Sequence, residues 1–228
     1  MKNIIEAKGI IKDFKDGEKI THVLKGIDLE VKQGEFVSIM GRSGAGKSTL
    51  MYQLSLLDEP SGGEIWVDGV NILKLSNKEK TQFRLNELGY VFQDYALVPE
   101  LTAVENVSIH LLMKGMSQKD AFEKAEEVLR RLGLDKQINN LPSQLSGGEQ
   151  QRVSIARSIV DEPKILFTDE PTANLDGESA RVVMDILKDL NKKGQTIVMV
   201  THEDEYGLET DRIIRLKDGK ICSDGECK

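Results

Sequence analysis

The sequence predicts an α/β protein with a largely buried sheet, an antiparallel β layer in its first third and a helical lobe inserted over residues 93–161. Three observations predict it. Short apolar runs alternate with amphipathic stretches, the rhythm of strands buried on both faces by helices. The first third comes instead in turn-punctuated pieces, NIIEAKGIIKDF, THVLKGIDLEV and GEIWVDGVNI, which read as an antiparallel layer. From Gln93 to Asp161 the pattern is almost wholly helical, with no strand predicted. At 228 residues the chain is long enough for a single domain with a sizeable core. Residues 1–92 and 162–228 would form the α/β core with its β layer, and 93–161 the lobe.

The core strands are FVSIM at 36–40, ILFT at 165–168 and IVMV at 197–200, each apolar on both faces. A helix, LMYQLSLL, is predicted at 50–57. In the lobe, Ser117 is an N-cap, and Phe122, Ala125, Val128, Leu129 and Leu132 form one stripe before Gly133. Further on, Val182, Val183, Ile186, Leu187 and Leu190 share a helical face that stops at Gly194.

Composition excludes several classes of function. With 30% charged and 39% hydrophobic residues the balance is that of a soluble globular protein, and a net charge of −7 gives nucleic acid no global attraction. MKNIIEAKGIIKDF lacks the apolar core of a secretory signal, and no run approaches the about 18 uncharged apolar residues of a membrane span. The protein is therefore expected in the cytoplasm. Cys222 and Cys227 are the only cysteines and are expected as free thiols, because two cysteines do not complete a structural zinc set. His22, His110 and Trp66 are read as packing or surface residues, and Lys12, Lys15, Lys19 and Lys25 as a solvated basic face.

GRSGAGKST, from Gly41 to Thr49, fits G-x-x-x-x-G-K-[ST] and stands between a predicted strand and a predicted helix, the context that identifies a phosphate-binding P-loop. Gly41, Gly44 and Gly46 let the backbone turn its N–H groups inward, with Arg42, Ser43, Ala45 and Thr49 completing the wrap. Lys47 supplies a point charge for β- and γ-phosphates, and the Ser48 hydroxyl a ligand for Mg²⁺. Downstream, KILFTDE ends an apolar strand in Asp169 and Glu170. A carboxylate at that strand end is a Mg²⁺ ligand, assigned to Asp169, and Glu170 is placed to polarise a water against the γ-phosphate. The competing reading of the two acids is a helix cap or turn before Pro171.

A second anion-binding helix start follows at LSGGEQQR, 145–152. Ser146, Gly147, Gly148 and Glu149 open it, with no lysine of its own.

Taken in order and spacing, the P-loop, Gln93 at the end of YVFQ, LSGGEQQR, ILFTDE, ANLD (173–176) and His202 resemble the ATP-binding cassette (ABC) ATPases over roughly residues 3–222. The resemblance implies hydrolysis of MgATP and a second chain of the same kind, paired head-to-tail when ATP is bound. Ser146, Gly147 and Gly148 of one chain would then cap the phosphate held by Lys47 of the other. It assigns Gln93 to sensing Mg²⁺ and the γ-phosphate, Asp176 to the dimer interface, and His202 to holding the γ-phosphate and orienting Glu170. Phe14 falls where the family stacks an aromatic on adenine, with a packed core aromatic as the alternative. Gln93 could also be a surface amide, and Asp176 an N-cap as well.

QDYALVPELTAVENV and the loop DGEKITHVLKGI most resemble the subgroup serving lipoprotein release, macrolide or peptide export, and cell division. This implies a separate transmembrane subunit docking on the helical lobe and a peripheral place on the inner face of the cell membrane. In the coupling segment Asp94, Glu100 and Glu105 would meet it, with Tyr95, Leu97, Val98 and Leu101 as anchors. A regulatory ATPase that gates a membrane partner is the alternative. A soluble cassette acting on nucleic acid or in cofactor assembly is a third, disfavoured by the acidic charge and by the lack of a coiled-coil insertion or a second fused cassette.

Overall fold

The first two strands are long although their pairing shifts register at four places. In the computed structural model, which describes residues 2–222, β1 (Asn3–Asp16) and β2 (Lys19–Lys32) form an antiparallel hairpin closed across Gly17 and Glu18. In β2 the inward positions Ile27, Leu29 and Val31 alternate with exposed ones, the pattern of a sheet with one buried face. Two further strands, β4 (Gly62–Val67) and β5 (Val70–Asn71), complete a four-stranded antiparallel sheet in the order β2-β1-β4-β5. The expected β layer is therefore present. Lys12 departs from its solvated reading: its side chain is only 11% exposed and pairs with Asp58 at 2.6 Å.

The chain divides into two compact units, Met1–Arg84 with Gly194–Lys228, and Leu85–Lys193. The first unit holds the β layer and a buried strand, β3 (Phe36–Met40), lying parallel between β8 (Thr196–Val200) and β9 (Arg212–Lys217). Every residue of β3 and β8 is buried, as continuous apolar runs in a parallel sheet require. A short β10 (Lys220–Ile221) pairs antiparallel with β9. The same unit carries α1 (Lys47–Leu54) and α7 (Asp204–Gly207). Helix α1 starts earlier than expected from 50–57, directly at the P-loop lysine. Cys222, just past β10, is disulfide-bonded, which corrects the free-thiol expectation for that residue, and Cys227 lies outside the described residues.

In the second unit β6 (Leu88–Val91) and β7 (Ile165–Asp169) pair in parallel. Helix α2 (Asn77–Glu87), which begins in the first unit, leads into β6 along the chain, and Ser76 and Glu79 cap its start reciprocally. Helices α3 (Ala103–Met113), α4 (Gln118–Arg131) and α5 (Gly147–Ile159) span the strand-free stretch, and α6 (Gly177–Lys192) follows β7. Ser117 caps α4 as expected, accepting the Asp120 N–H at 3.2 Å. On α6 the buried face is Ala180, Val183, Met184 and Leu187, while Val182 is 39% exposed. The core stripe thus runs at i, i+3, i+4, i+7 from Ala180, one position round from the predicted face.

Between β6 and α3 the chain has no regular structure, and one buried side chain organises it. The Asn106 Oδ1 accepts the Val98 N–H at 2.8 Å. Its Nδ2 donates to the carbonyls of Val98, Leu101 and Thr102 at 3.1, 2.8 and 3.1 Å. Asn106→Ala should destabilise the protein by about 2–3 kcal/mol, because it leaves buried backbone groups unpaired. A urea midpoint within error of the parent's would refute that role.

Candidate active site

The P-loop follows β3 and is shaped by what its glycines avoid. A Cβ on Gly41 would lie 2.2 Å from the Leu216 carbonyl oxygen, so only glycine fits against β9. Gly46 has φ +100, and a Cβ there would press on Leu24 at 3.0 Å. It stands at the N-cap of α1 and contributes no side-chain hydrogen bond, and a helix start is the place where a chain can receive an anion. The turn is tightened by the Ala45 N–H bonding the Arg42 carbonyl at 3.1 Å. Lys47 is 8% exposed, and its Nζ donates to the carbonyls of Gly41 and Arg42 at 3.1 and 3.4 Å. The ammonium is thereby folded back over the loop that the motif predicts as a phosphate cradle. Ser48 and Thr49 follow, half-buried in the first turn of α1. Arg42, Ser43 and Gly44 are exposed, and Ala45 is buried.

In the same unit, Phe14 is 48% exposed on β1 with the Lys12 ammonium 5.1 Å from its ring centroid. It is not a core aromatic, which removes that alternative. His202 is exposed immediately after β8, in a turn where Thr201 Oγ1 accepts the Glu203 N–H at 3.1 Å.

The second unit carries the acids and the second helix start. Asp169 ends β7 at 5% exposure and accepts a hydrogen bond from the Tyr90 hydroxyl at 3.4 Å. Glu170 follows with φ +48. A non-glycine residue there carries strain, which clusters at functional positions. The turn is held from α5, whose buried Gln151 donates Nε2–H to the Pro171 carbonyl at 2.8 Å. Gln151 was not singled out by sequence reasoning, although it lies inside LSGGEQQR.

Ser146 is the N-cap of α5, in a capping box with Glu149. The Glu149 N–H donates to Ser146 Oγ at 3.3 Å, and the Ser146 N–H to Glu149 Oε2 at 2.8 Å. The serine oxygen accepts within the chain, and the Ser146 side chain also hydrogen-bonds the Glu149 carboxylate. Glu149 also accepts from Gln137 Nε2 at 2.7 Å. The bond from the Ser146 backbone, with those from the Ser146 and Gln137 side chains, holds its carboxyl below the ordinary range against the opposing effect of burial. Its charge is therefore occupied at the helix start. Gly148 is buried, and a Cβ there would collide with Ser179 Oγ at 2.7 Å, so the glycine brings α5 against the start of α6. Gly147 is less tightly placed, its would-be Cβ lying 3.0 Å from the Tyr95 hydroxyl.

Asp176 caps α6, accepting the Ser179 N–H and hydroxyl at 2.9 Å each. The bonds from Ser179, backbone first, lower its carboxyl, so the N-cap reading of Asp176 stands. Gln93 is exposed, and its backbone carbonyl accepts from Asn174 Nδ2 at 3.2 Å. Asn174 was another residue missed. It lies inside ANLD, where only the aspartate had been assigned.

A lysine-bearing P-loop after a buried parallel strand, a strand ending in two carboxylates and a serine-capped glycine helix start together define an ATPase of the ATP-binding cassette type. The chain belongs to that family: residues 24–173 match the family model described as ABC transporter. It is 48% identical over 221 residues to the lipoprotein-releasing system ATP-binding protein LolD of Aquifex aeolicus, covering 97% of both chains. It is 46% identical over 222 residues to the macrolide export ATP-binding/permease protein MacB of Aggregatibacter actinomycetemcomitans, and there it spans 34% of that protein's length. A solved dimeric ATP-binding cassette in a post-hydrolysis state, bound to ADP and Pi, superposes with a TM-score of 0.90 at 42% identity, covering 96% of this chain and 97% of that one.

Proposed function

We propose that this chain is the ATP-hydrolysing subunit of a membrane export or extraction complex, working as a homodimer that closes head-to-tail around two ATP molecules. The observation that carries the proposal is the start of α5. Ser146 caps its helix through its own side chain, and Gly147 and Gly148 follow without a lysine. A helix start without a lysine binds phosphate weakly alone and becomes useful once another chain has fixed that phosphate. The solved neighbour is a dimer bound to ADP and Pi, which supports pairing of two such chains.

The roles follow from the chemistry. The P-loop backbone of Gly41 to Thr49 wraps the phosphates, and Lys47 takes up charge that develops on them. Ser48, Asp169 and Gln93 would hold Mg²⁺. Their oxygen donors suit a hard cation that keeps several waters and is bound by one or two carboxylates with substrate phosphates. When bound, the ion neutralises charge on the β- and γ-phosphate oxygens. Glu170 orients the attacking water and accepts its proton, His202 holds the γ-phosphate, and phosphate departs from ADP. Phe14 stacks on adenine. Asp176 and Glu149 act at the interface through the helix starts that they cap.

Among the described residues no helix is long and apolar enough to cross a membrane, and the transport path is assigned to a separate membrane subunit. Val98, Leu112 and Met113, at 38%, 38% and 68% exposure, support docking on the α3 side of the helical lobe, with the chain peripheral to the membrane. Similarity to release and export cassettes favours this reading over a regulatory ATPase of the division type.

Ser146→Arg in a Glu170→Gln background tests the shared site. The long side chain should block closure, so the chain stays at monomer mass by light scattering with saturating ATP. Binding of a fluorescent ATP analogue to the single chain should change by less than about threefold, since no P-loop contact is lost. A Ser146→Arg chain that doubles its mass with ATP would overturn the trans role of α5.

A further inference from the structure

The loop that follows Gln93 takes an unfavourable path. Tyr95 and Ala96 are consecutive non-glycine residues in the left-handed region, with φ +58 and +50, a conformation that L-residues adopt at a cost. One side chain from the signature helix meets both. Arg157, in the last turn of α5, donates Nη1–H to the Ala96 carbonyl at 2.6 Å and Nη2–H to the Tyr95 carbonyl at 3.0 Å. Those two carbonyls, not a carboxylate, are the partners of a half-buried guanidinium whose pKa is lowered by burial. Burying a cation without a counter-charge is unfavourable, and a hydrocarbon of similar volume would commonly be as stable or more so. The gain lies in the geometry that the planar fork imposes on the loop.

That geometry reaches two proposed nucleotide contacts. Upstream, Asn174 holds the Gln93 carbonyl at 3.2 Å, so the backbone bearing the glutamine is fixed on both sides. Within the loop, the Tyr95 hydroxyl lies 3.0 Å from the Cβ that a side chain on Gly147 would add, a tight approach.

We propose that Arg157 is a positioning residue: by forking the carbonyls of Tyr95 and Ala96 it fixes the direction of Gln93 and seats Tyr95 against Gly147. Movement of the Gln93 loop and of the signature start are thereby tied together within one chain. The proposal rests on Gln93 acting at the nucleotide, as set out above.

The test uses the full chain with Arg157→Met, which keeps the apolar stem, and Arg157→Lys, which keeps the charge without the fork. In Arg157→Met, amide hydrogen exchange over 94–98 should accelerate about tenfold or more, with the thermal midpoint retained. The kcat for ATP should fall about tenfold, the upper part of the range for residues that act through coupling, while KM changes little. Lysine should recover only part of the loss. Combined with Gln93→Ala, the losses should be strongly non-additive, because both act on one group.

Parental exchange over 94–98 in Arg157→Met would overturn the proposal. Fully additive losses would overturn the link to Gln93. Should Gln93→Ala alone leave turnover intact, the nucleotide role of Gln93 is what fails, and the exchange rates still decide whether Arg157 holds the loop. Should Arg157→Met not fold, the exchange and kcat of Arg157→Lys decide: parental values for both would overturn the proposal.

Discussion

Glu170→Gln should lower ATP turnover by about 10²–10⁴-fold, the range that a general base contributes, while leaving ATP binding intact. The amide matches the carboxylate in shape but cannot accept the proton of the attacking water. The turn that presents it depends on the Gln151–Pro171 bond, which the substitution does not touch. Nucleotide should therefore be trapped unhydrolysed, and the chain should double its mass with ATP. Phosphate release and light scattering after size exclusion measure the two effects. Turnover within about twofold of the parent would remove Glu170 from the chemistry, since a lost general base costs far more than that. A monomer at saturating ATP would mean that closure needs the membrane partner or a different cassette.

Lys47→Ala should abolish measurable turnover, a loss of about 10²–10³-fold or more for one preorganised charge in a phosphate site. The loop itself should survive, because its path is set by Gly41 against Leu216 and by the Ala45–Arg42 turn. An unchanged circular dichroism spectrum together with lost ATP binding would localise the effect to the ammonium. Lys47→Arg should not rescue it, since the guanidinium fork is wider than an ammonium that reaches two loop carbonyls from a nearly buried stem. Normal hydrolysis in Lys47→Ala would displace the P-loop from the reaction.

Where one residue type does one job, the sequence was easy to read. Strands buried on both faces are runs of apolar residues, and β3, β7 and β8 lie where those runs lie. Cap residues were equally visible at Ser117 and Asp176. Harder to read were elements whose pattern is set by their neighbours. β6 contains Gly89, which weakens the strand signal. The glycine is there because a Cβ would strike the Ser158 carbonyl at 2.4 Å. On α6 two adjacent apolar faces compete, and only packing shows that Met184 is buried and Val182 is not. Lys12 looks solvated until Asp58, 46 positions later in the numbering, is brought to it. For the site, glycines and acids in motifs were legible. Gln151, Asn174 and Arg157 were not, because they act on backbone carbonyls and a carbonyl leaves no trace in a sequence. One signal was present: Arg157 is a charge inside the apolar stretch SIARSIV.

Helices α2 to α6 each begin with a hydroxyl or carboxylate that satisfies their first N–H groups: Ser76, Thr102, Ser117, Ser146 and Asp176. Helix α1 begins on Gly46 without one. On the function proposed above the nucleotide phosphate would take that place, and the ligand would complete the fold where it binds. Stability then becomes a function of ATP concentration, rising by about 2.7 kcal/mol when free nucleotide stands at one hundred times its dissociation constant. In a starved cell this subunit would be both idle and easier to unfold, and its turnover by proteases would follow the energy charge.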